Sequence, residues 1–508
     1  MEIYSPILAL IFFIFFIKLL KKSKTSETNT KNLPPGPLKL PFVGNLPQVA
    51  AAGKIPHRGL QALAKKHGPV MQLQLGEIPL VVISSAKAAK QALRTNDLAL
   101  ADRPGLVLGE IILANCRDIV LALYGDYWRQ MRKICTLELL SVKKVKSFRA
   151  IREDESEHLL KDIKNSIGSP FNLSESVANL AHGVISRATT GKRSDDELAK
   201  IVEEISYWGA GFLIPDLFPS IKFLPTLTGM RSGIQKLRNA INPIFGSIIE
   251  EHREKLARKK EGKTIDNDAD EEDLIDVLLR VNENERLEFP MTSNDIQGIV
   301  LDMFTAGIDT TSAVIEWAMA ELMRNPRVMN KVQTEVREVL KVKETITEDD
   351  IQGLSYLKLV IKEALRLHTP LPLLLPRQCR KECEIDGFTI PVNTKVIINA
   401  WAIGRDPEYW VDAESFKPER FENNSIDFFG LDYEYLPFGS GRRMCPGMNF
   451  GIAGVELPLT QLLYHFDWKL PNNMKPGDLD LEDAFGSTTK RKNHLVLIPT
   501  AEYAAQKA

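Results

Sequence analysis

The longest apolar pattern in the chain predicts a helix long enough to cross a whole domain. The stretch 296–323 is predominantly apolar, Thr292 or Ser293 can cap its start, and Pro326 follows its end. In its middle, residues 306–311 read Ala-Gly-Ile-Asp-Thr-Thr. A glycine and two β-branched threonines weaken a helix, and a threonine hydroxyl can compete for the carbonyl one turn back. Such a turn indicates either close packing against a neighbouring helix or a functional site.

Helical patterns dominate the rest of the chain, with no repeat of 20 to 50 residues. Two strand-like patches interrupt them, 70–84 with a turn at Gly76 and 384–399 with a turn near 391–393. The charged stretch 251–273, first basic and then acidic, predicts a solvated loop between helices. We therefore expect a mainly α fold with small β-sheets.

The amino terminus predicts a membrane anchor. Residues 6–17 form the apolar run PILALIFFIFFI, and lysines follow it. A bilayer span needs about 20 apolar residues, a length that the stretch 4–20 approaches if Lys18 reaches toward the headgroups. A cleaved secretory signal would begin with basic residues, whereas here Glu2 precedes the run. We therefore expect residues 1–22 to be a single uncleaved anchor.

The segment after the anchor is a linker. Residues 23–40 are polar and then proline-rich, which predicts a stiff connection to one globular unit at 41–508. Positive charge directly after an anchor keeps the downstream chain on the cytoplasmic side of the membrane. The two glycosylation-type triplets at Asn172 and Asn423 would then never meet the glycosylation machinery.

Composition and cysteine count exclude several classes of protein. With 65 Lys+Arg against 66 Asp+Glu, the 508-residue chain has a net charge of -1, which gives no argument for a nucleic-acid partner. Five scattered cysteines do not predict a disulfide framework. Cys379 and Cys383 lack a nearby second pair of ligands for zinc, so we interpret them as structural.

Cys445 differs because of its neighbours. Residues 437–447 read Pro-Phe-Gly-Ser-Gly-Arg-Arg-Met-Cys-Pro-Gly. The glycines permit a tight loop whose backbone approaches a flat ligand. Amides directed at a sulfur near a helix start, with a cation such as Arg443, would favour the thiolate.

This loop resembles the signature of the cytochrome P-450 superfamily, because Phe438, Gly441, Arg443, Cys445 and Gly447 match each of its positions. The resemblance implies the cytochrome P-450 fold, with a long central helix over heme b and the cysteine loop beneath it, and Cys445 as axial iron ligand. Among subgroups, the chain is similar to the plant microsomal group called the seventy-one clan, particularly its terpenoid-oxidising members.

Further matches follow the family's order along the chain. Trp128 and Arg132 look like the pair that binds a heme propionate, and Arg377 and Arg443 fall at two more propionate-binding positions. Arginine suits carboxylates because its planar fork can bond both oxygens. The family likeness also places Phe438 and Gly439 against the cofactor.

The family's structural cluster has counterparts here. Glu363 and Arg366 lie three apart on one predicted helix face, and Arg420 matches the arginine that completes a buried Glu–Arg–Arg cluster. The resemblance assigns these residues to structure and not to chemistry. Loss of one partner would leave a buried charge uncompensated and prevent heme incorporation.

The hexapeptide at 306–311 is similar to the family's oxygen-activation motif. The resemblance implies that Thr310 hydrogen-bonds dioxygen and that Asp309 relays protons. Protons must reach oxygen inside an apolar pocket that excludes water, which explains the need for such groups.

Aliphatic residues dominate the positions that correspond to the family's substrate-recognition segments. Such walls desolvate hydrocarbons well and give few directional contacts, which suits a sesquiterpene or diterpene, although each residue alone also fits an ordinary core. The predicted pocket residues are Leu108, Ile112, Phe212, Phe304, Ala306, Leu371, Leu374 and Phe485.

A cationic segment, which we name the basic patch, predicts the electron-donor surface. It contains one acid, Glu138, and its basic residues are Arg129, Arg132, Lys133, Lys143, Lys144, Lys146 and Arg149. The resemblance implies NADPH-cytochrome P-450 reductase as an acidic partner, cytochrome b5 as an additional donor, and the endoplasmic reticulum membrane as location. A solvated helix face would show the same pattern of charge.

The sequence therefore predicts an NADPH- and dioxygen-dependent monooxygenase acting on an apolar plant metabolite, most simply a terpenoid. An alkaloid or phenylpropanoid substrate fits the same chemistry. A heme-thiolate isomerase or dehydratase and a non-catalytic heme-binding membrane protein are also compatible with the cysteine loop. The predicted Asp309 and Thr310 pair favours catalysis over a non-catalytic role.

Overall fold

A computed structural model describes residues 32–113, 115–194, 196–209, 213–261, 272–284, 287–341, 343 and 345–502. The predicted anchor at 1–22 and the predicted pocket residue Phe212 lie outside these ranges.

Helices account for most of the described chain. They are α1 Leu46–Ala51, α2 Pro56–His67, α3 Ala86–Lys90, α4 Val107–Ile111, α5 Asp126–Ile134, α6 Val142–Ser147, α7 Arg149–Lys164, α8 Leu173–Thr190, α9 Asp196–Trp208, α10 Ile214–Leu217, α11 Leu224–Leu227, α12 Met230–Lys260, α13 Leu274–Asn284, α14 Ser293–Arg324, α15 Pro326–Leu340, α16 Ser355–Leu367, α17 Ala400–Ile403 and α18 Met448–His465. Two π-helical turns, Gln91–Thr95 and Cys135–Leu139, extend α3 and α5.

The strands form three small sheets. They are β1 Val70–Leu75, β2 Ile78–Ile83, β3 Phe171–Asn172, β4 Arg377–Gln378, β5 Cys383–Ile385, β6 Phe388–Ile390, β7 Lys395–Ile398, β8 Phe466–Lys469 and β9 Val496–Glu502. One sheet has the order β1-β2-β7-β4, in which β2 and β7 run parallel, a second has the order β3-β9-β8, and β5 pairs with β6. The expected mainly α fold with small sheets is present.

The first strand-like patch folds as predicted, and the second does so in part, because it forms strands and its predicted turn near 391–393 separates β6 from β7. Gly76, with a φ of +59°, turns β1 into β2. The patch 384–399 contains a second turn at Asp386 and Gly387, both with positive φ, which separates β5 from β6. This turn was not predicted, although Asp-Gly is a strong hairpin signal.

The predicted long helix is α14, and its start is fixed by a capping box. The Thr292 side chain accepts from the Asp295 amide, and Asp295 accepts in return from the Thr292 amide at 2.7 Å. The same Asp295 carboxylate also accepts from Arg117 at 2.6 Å and from the Tyr127 hydroxyl at 2.8 Å. One buried carboxylate thus joins the start of α14 to the loop that leads into α5.

Helix α14 lies at the centre of the core and packs most extensively against α8. Its length and composition would suit a membrane span, but 72% of its most apolar 18-residue stretch is buried inside the protein. Among the described residues no other helix is both long enough and apolar enough to cross a membrane. We therefore interpret α14 as a core helix.

The charged stretch 251–273 differs from its prediction. Residues up to Lys260 continue α12, and the segment 262–271 lies outside the described ranges. Asp273 is buried, with its Oδ2 2.7 Å from His252 Nε2. The prediction of a solvated loop is wrong for both ends, because helical continuation and a buried ion pair outweigh the high local charge.

Candidate active site

The Cys445 loop is closed by its own backbone. The Cys445 amide donates to the Phe438 carbonyl at 2.9 Å, and Gly439 and Gly441 have φ values of +69° and +70°. A Cβ on Gly441 would lie 2.5 Å from the Leu93 carbonyl oxygen, so this position admits no side chain. The Cys445 side chain is accessible yet surrounded by protein atoms, as expected for a group that faces an internal recess.

The electrostatic surroundings of the Cys445 thiol differ in part from the prediction. Burial raises the pKa of the thiol, while the Gly447 amide and the Arg132 guanidinium act to lower it. The amide contribution was expected from the loop. The cation is Arg132 on α5 and not Arg443, because Arg443 is directed to the carbonyls of Ala101 and Ala122 at 2.8 and 2.5 Å.

Four arginines gather beside this loop. Burial lowers the pKa of each guanidinium, and repulsion from Arg377 further lowers that of Arg443, to about 10. Since arginine stays protonated in proteins, such a concentration of buried positive charge suits an anionic ligand. The members are Arg103, Arg132, Arg377 and Arg443.

Backbone carbonyls and one carboxylate hold these arginines in place. Arg377 donates to Asp97 at 2.8 Å and to the Ser440 carbonyl at 2.9 Å. Arg103 donates to the Leu375 and Pro376 carbonyls, both at 2.8 Å. Arg103 was not predicted, because nothing local distinguishes it from a surface arginine.

Trp128 lies in the same cluster. Its indole Nε1 donates to the Ile119 carbonyl at 3.0 Å, and the Arg443 guanidinium lies 4.2 Å from the centre of its ring. Stacking of this kind orients an arginine without using its hydrogen bonds. The predicted Trp128–Arg132 pair therefore includes Arg443 as a third member, while a direct contact of Trp128 with a propionate stays a prediction.

Two buried acids hold the loop that carries Ile119. Asp302 of α14 accepts from the Ile119 and Val120 amides at 2.9 and 3.3 Å. Burial, together with the nearby Asp118, raises the pKa of the Asp302 carboxyl well above its usual range. Asp302 precedes the predicted motif on α14, and its hydrophobic context gave no signal that it would be buried with an acid from another element.

The predicted motif on α14 packs closely and also reaches an accessible surface. A Cβ on Gly307 would lie 2.3 Å from Ile185 Cδ1 on α8, which confirms that this glycine admits a neighbouring helix. The Thr310 hydroxyl donates to the Ala306 carbonyl at 2.6 Å, the predicted bond to the preceding turn. Ala306 is exposed, and Asp309 and Thr310 one turn further along are half-buried, so this face of α14 is accessible.

The motif contacts α18, the helix after the cysteine loop, and the segment before β9. A Cβ on Gly454 of α18, the helix that follows Cys445, would lie 3.1 Å from the Thr311 methyl group. Asp309 forms an ion pair with Lys490 at 2.8 Å. The structure thus brings the predicted motif against the helix that begins behind the predicted iron ligand.

The predicted pocket residues fall into two groups. Leu371 and Leu374 are half-buried, and Phe485 is 63% exposed. Leu108 and Ile112 are nearly buried, and Phe304 is fully buried against the rings of His182 and Phe245. The structure does not bring Phe304 to an accessible surface, because its side of α14 faces core aromatic residues.

The predicted Glu–Arg–Arg cluster is present. Glu363 is fully buried and accepts two hydrogen bonds from Arg366 at 2.8 Å and one from Arg420 at 2.9 Å. Arg366 also donates to the Gly404 and Ala413 carbonyls at 2.6 and 2.7 Å. This network joins α16 to the segment before the cysteine loop, as its expected structural role requires.

Comparisons with known proteins show the family to which the chain belongs. The family model for cytochrome P450 matches residues 34–497. The chain is 56% identical to Cytochrome P450 CYP71D313 of Panax ginseng, and 50% identical both to premnaspirodiene oxygenase of Hyoscyamus muticus and to germacrene A hydroxylase of Barnadesia spinosa, in each case over 93% of this chain and 93% of the relative.

A solved zebra fish cytochrome P450 structure with progesterone is similar to 88% of this chain and 100% of its own, with a TM-score of 0.75 and 23% identity, which confirms the fold. The seventy-one group resemblance is confirmed by the ginseng relative. The chain therefore belongs to the cytochrome P450 family, the monooxygenases that use heme b and electrons from NADPH delivered by a reductase.

Proposed function

We propose that this enzyme inserts one oxygen atom into an apolar plant terpenoid of the sesquiterpene or diterpene class. The names of the relatives carry this proposal, because premnaspirodiene oxygenase and germacrene A hydroxylase share half of their residues with this chain. The predominantly aliphatic pocket positions support it, since they offer apolar contact and few hydrogen bonds.

The residues of the site fit heme in three ways. Cys445 would supply a sulfur ligand for iron, and the arginine cluster would supply cations for two propionates. Gly439 adds no side chain to the loop, and the neighbouring Phe438 ring is only half-buried, so a flat ring could lie against both residues. When bound, heme supplies the redox centre that activates dioxygen and transfers one oxygen atom to the substrate.

The chain's own groups then manage water and protons. The aliphatic walls hold the substrate and exclude bulk water, which prevents unproductive proton leakage. The Thr310 hydroxyl can exchange its bond to the Ala306 carbonyl for a bond to a ligand on the accessible face of α14. The Asp309 carboxylate, one residue away, takes protons from solvent and passes them inward.

Asp309→Asn is expected to lower product formation by about a hundredfold, because an amide cannot relay a proton. NADPH consumption should continue with hydrogen peroxide as its product, and the solvent isotope effect on turnover should rise. Asp478→Asn, which makes the same change at an exposed position, should behave as the unaltered protein does. Unchanged product formation by Asp309→Asn would remove the carboxylate from the mechanism.

The substrate class is tested by feeding a panel of compounds. The full-length chain is co-expressed with a plant reductase and supplied with sesquiterpenes, diterpenes, an alkaloid and a phenylpropanoid. We expect a product heavier by one oxygen atom from a terpene, together with terpene-stimulated NADPH consumption. Oxidation of only the alkaloid or phenylpropanoid would contradict the substrate class. Turnover without NADPH would indicate an isomerase or dehydratase, and no turnover would indicate a non-catalytic heme protein.

We propose that residues 1–22 anchor the enzyme in the endoplasmic reticulum membrane, with the linker 23–40 and the catalytic unit 41–508 on the cytoplasmic side. Exposed apolar side chains near the linker support this orientation. They are Leu38, Val43, Ile214, Phe223 and Leu227. Both segments that carry them meet at the β1–β2 turn, where the Gly76 amide donates to the Val43 carbonyl and the Glu77 amide to the Leu217 carbonyl. Together they form an apolar surface suited to a lipid interface.

The basic patch is our proposal for the docking surface of the reductase, with cytochrome b5 as an additional donor at the same surface. It lies beside Cys445, because Arg132 donates to the carbonyl of the preceding residue, Met444. Not all of its members are available: Arg149 is paired with Glu153 and Asp349, and Lys144 donates to the Glu272 carbonyl. The exposed members Lys133, Lys143 and Lys146 are the ones offered to an acidic partner.

Replacing both Lys143 and Lys146 by Glu is expected to slow reductase-supported turnover by about tenfold at low salt, because encounter rates depend on charge complementarity. The defect should shrink as ionic strength rises, since salt screens exposed charges. Stopped-flow reduction under carbon monoxide measures the step directly. The matched control is Lys65→Glu with Lys66→Glu on α2, two exposed lysines outside the basic patch. Equal reduction rates for the two double variants would contradict the docking surface.

A further inference from the structure

We propose that Lys490 is a positioning residue for proton delivery, holding the Asp309 carboxylate by an ion pair at the solvent side of α14. This inference rests on the proposed role of Asp309 and deepens it, since it names the group that orients the proton relay. Lys490 lies in the segment between α18 and β9, far from Asp309 in sequence.

The contact is close and partly shielded from water. Lys490 Nζ lies 2.8 Å from Asp309 Oδ1, and the exposed fractions of the two side chains are 39% and 20%. Within the part of the chain that the structure describes, this ion pair is the one side-chain contact shown for the Asp309 carboxylate. The pair thus has one member open to solvent and the other on the helix that carries Thr310.

The backbone around Lys490 is fixed on both sides. Thr489 donates from its amide to the Pro370 carbonyl at 2.9 Å and from its hydroxyl to the Thr369 carbonyl at 2.7 Å. The Lys490 carbonyl accepts from the Ala484 amide at 2.8 Å. Because these hydrogen bonds hold the backbone, the Lys490 ammonium is confined to a small region, unlike the ammonium of a lysine on a mobile loop.

The segment is also attached directly to α14. The buried indole of Trp317 donates to the Thr489 carbonyl at 2.6 Å, and the ring of Trp317 stacks on His368 at 3.8 Å between centres. Trp317 and Asp309 are on the same helix, so the attachment at Trp317 sets where Lys490 stands relative to Asp309. The distance between Lys490 Nζ and Asp309 Oδ1 therefore depends on the packing of the core around Trp317.

The neighbouring cations do not compete for Asp309. Arg491 lies 3.7 Å from Glu316, a second acid of α14, and Lys492 pairs with Glu482 at 2.5 Å. The three successive cations thus lie beside three different acids, Asp309, Glu316 and Glu482. Of these three cations, Lys490 is the one that reaches the acid of the hexapeptide.

The ion pair has a consequence for proton transfer. The Lys490 ammonium holds the Asp309 carboxylate at the solvent side of α14, where the carboxylate can accept a proton from bulk water. Because Lys490 is itself partly in water, the pair can separate at small cost, and the carboxylate can then turn inward toward Thr310. The proton taken from solvent is passed on, the carboxylate is regenerated, and the ammonium is not consumed.

The contact itself is tested by amine reactivity, without turnover. Reductive methylation of Lys490 is followed by peptide mass spectrometry in the unaltered full-length protein and in Asp309→Asn. We expect Lys490 to react about two- to fivefold faster in the variant, the range that an ion pair of this exposure supports. Lys492, which keeps Glu482, should react equally in both. An equal rate for Lys490 in the two proteins would overturn the ion pair.

The functional part is tested with Lys490→Met and Lys490→Arg in the reductase-coupled enzyme. We expect Lys490→Met to lower the fraction of NADPH electrons found in product by about two- to fivefold and to raise the solvent isotope effect, while Lys490→Arg restores most of the coupling. Lys492→Met is the matched control and should couple normally. If Asp309→Asn uncouples turnover and Lys490→Met does not, this inference fails alone. If Asp309→Asn couples normally, the proton role of Asp309 fails, whatever the methylation result.

Discussion

Cys445→Ser is expected to abolish monooxygenase activity and the strongly red-shifted Soret band that the reduced, carbon monoxide-treated protein should show. That band would require a thiolate bound to the heme iron, and a serine hydroxyl would be a much weaker donor to iron. The loop geometry should survive, because the Cys445 amide and not its side chain bonds the Phe438 carbonyl. The measurement is a reduced carbon monoxide difference spectrum at equal protein concentration.

The matched control for this prediction is Cys383→Ser, which makes the same change at a half-buried cysteine of β5. It should keep both the spectrum and the activity. A Cys445→Ser protein that retained the red-shifted band would show that another group holds the iron, and the assignment of the whole site would fall with it.

Glu363→Gln is expected to destabilise the folded protein by about 3–5 kcal/mol and to prevent stable heme incorporation. The substitution removes the charge that Arg366 and the partly exposed Arg420 share, and it leaves the Arg366 side chain, which has no solvent exposure, without its acid. The Lys417 amide also loses a charged acceptor at 2.8 Å. Thermal unfolding and heme content per chain measure the two effects.

Glu422→Gln provides the control, because Glu422 is exposed directly after the helical turn that carries Arg420. It should unfold and bind heme as the unaltered protein does. Normal heme content in Glu363→Gln would mean that the network is dispensable for assembly, and the structural role given to it would be wrong.

Local patterns predicted the elements and the close approaches of this protein well. Capping at Thr292 and the apolar run set α14, and Gly307 indicated the helix packing that Ile185 provides. The cysteine loop was predicted because all of its constraints, two glycines and a returning amide bond, lie within eleven residues. Each of these features depends on the spacing of residues within one short segment, so the sequence of that segment is enough to predict it.

Long-range pairing could not be predicted in the same way. Arg103 and Lys490 look like ordinary surface charges in their own segments, and only the fold brings them to carbonyls and to Asp309. Asp302 lies in an apolar stretch that gives no sign of the second acid that the fold places near it. The cation beside Cys445 was assigned to the nearest arginine in the loop, whereas a helix from the other half of the chain supplies it. Proximity in sequence is a poor guide when the partner belongs to another element.

The shared carboxylate of Asp295 couples two events that the helix alone would keep separate. It caps the first turn of α14, and it also accepts hydrogen bonds from Arg117 and Tyr127. These two residues flank the loop whose Ile119 carbonyl accepts from the Trp128 indole. Fraying of that turn would release the loop, and displacement of the loop would unravel the turn. The helix start and this loop therefore open as a single cooperative unit. Local unfolding at the start of α14 would thus also displace the loop that positions Trp128 and, through it, the arginine cluster.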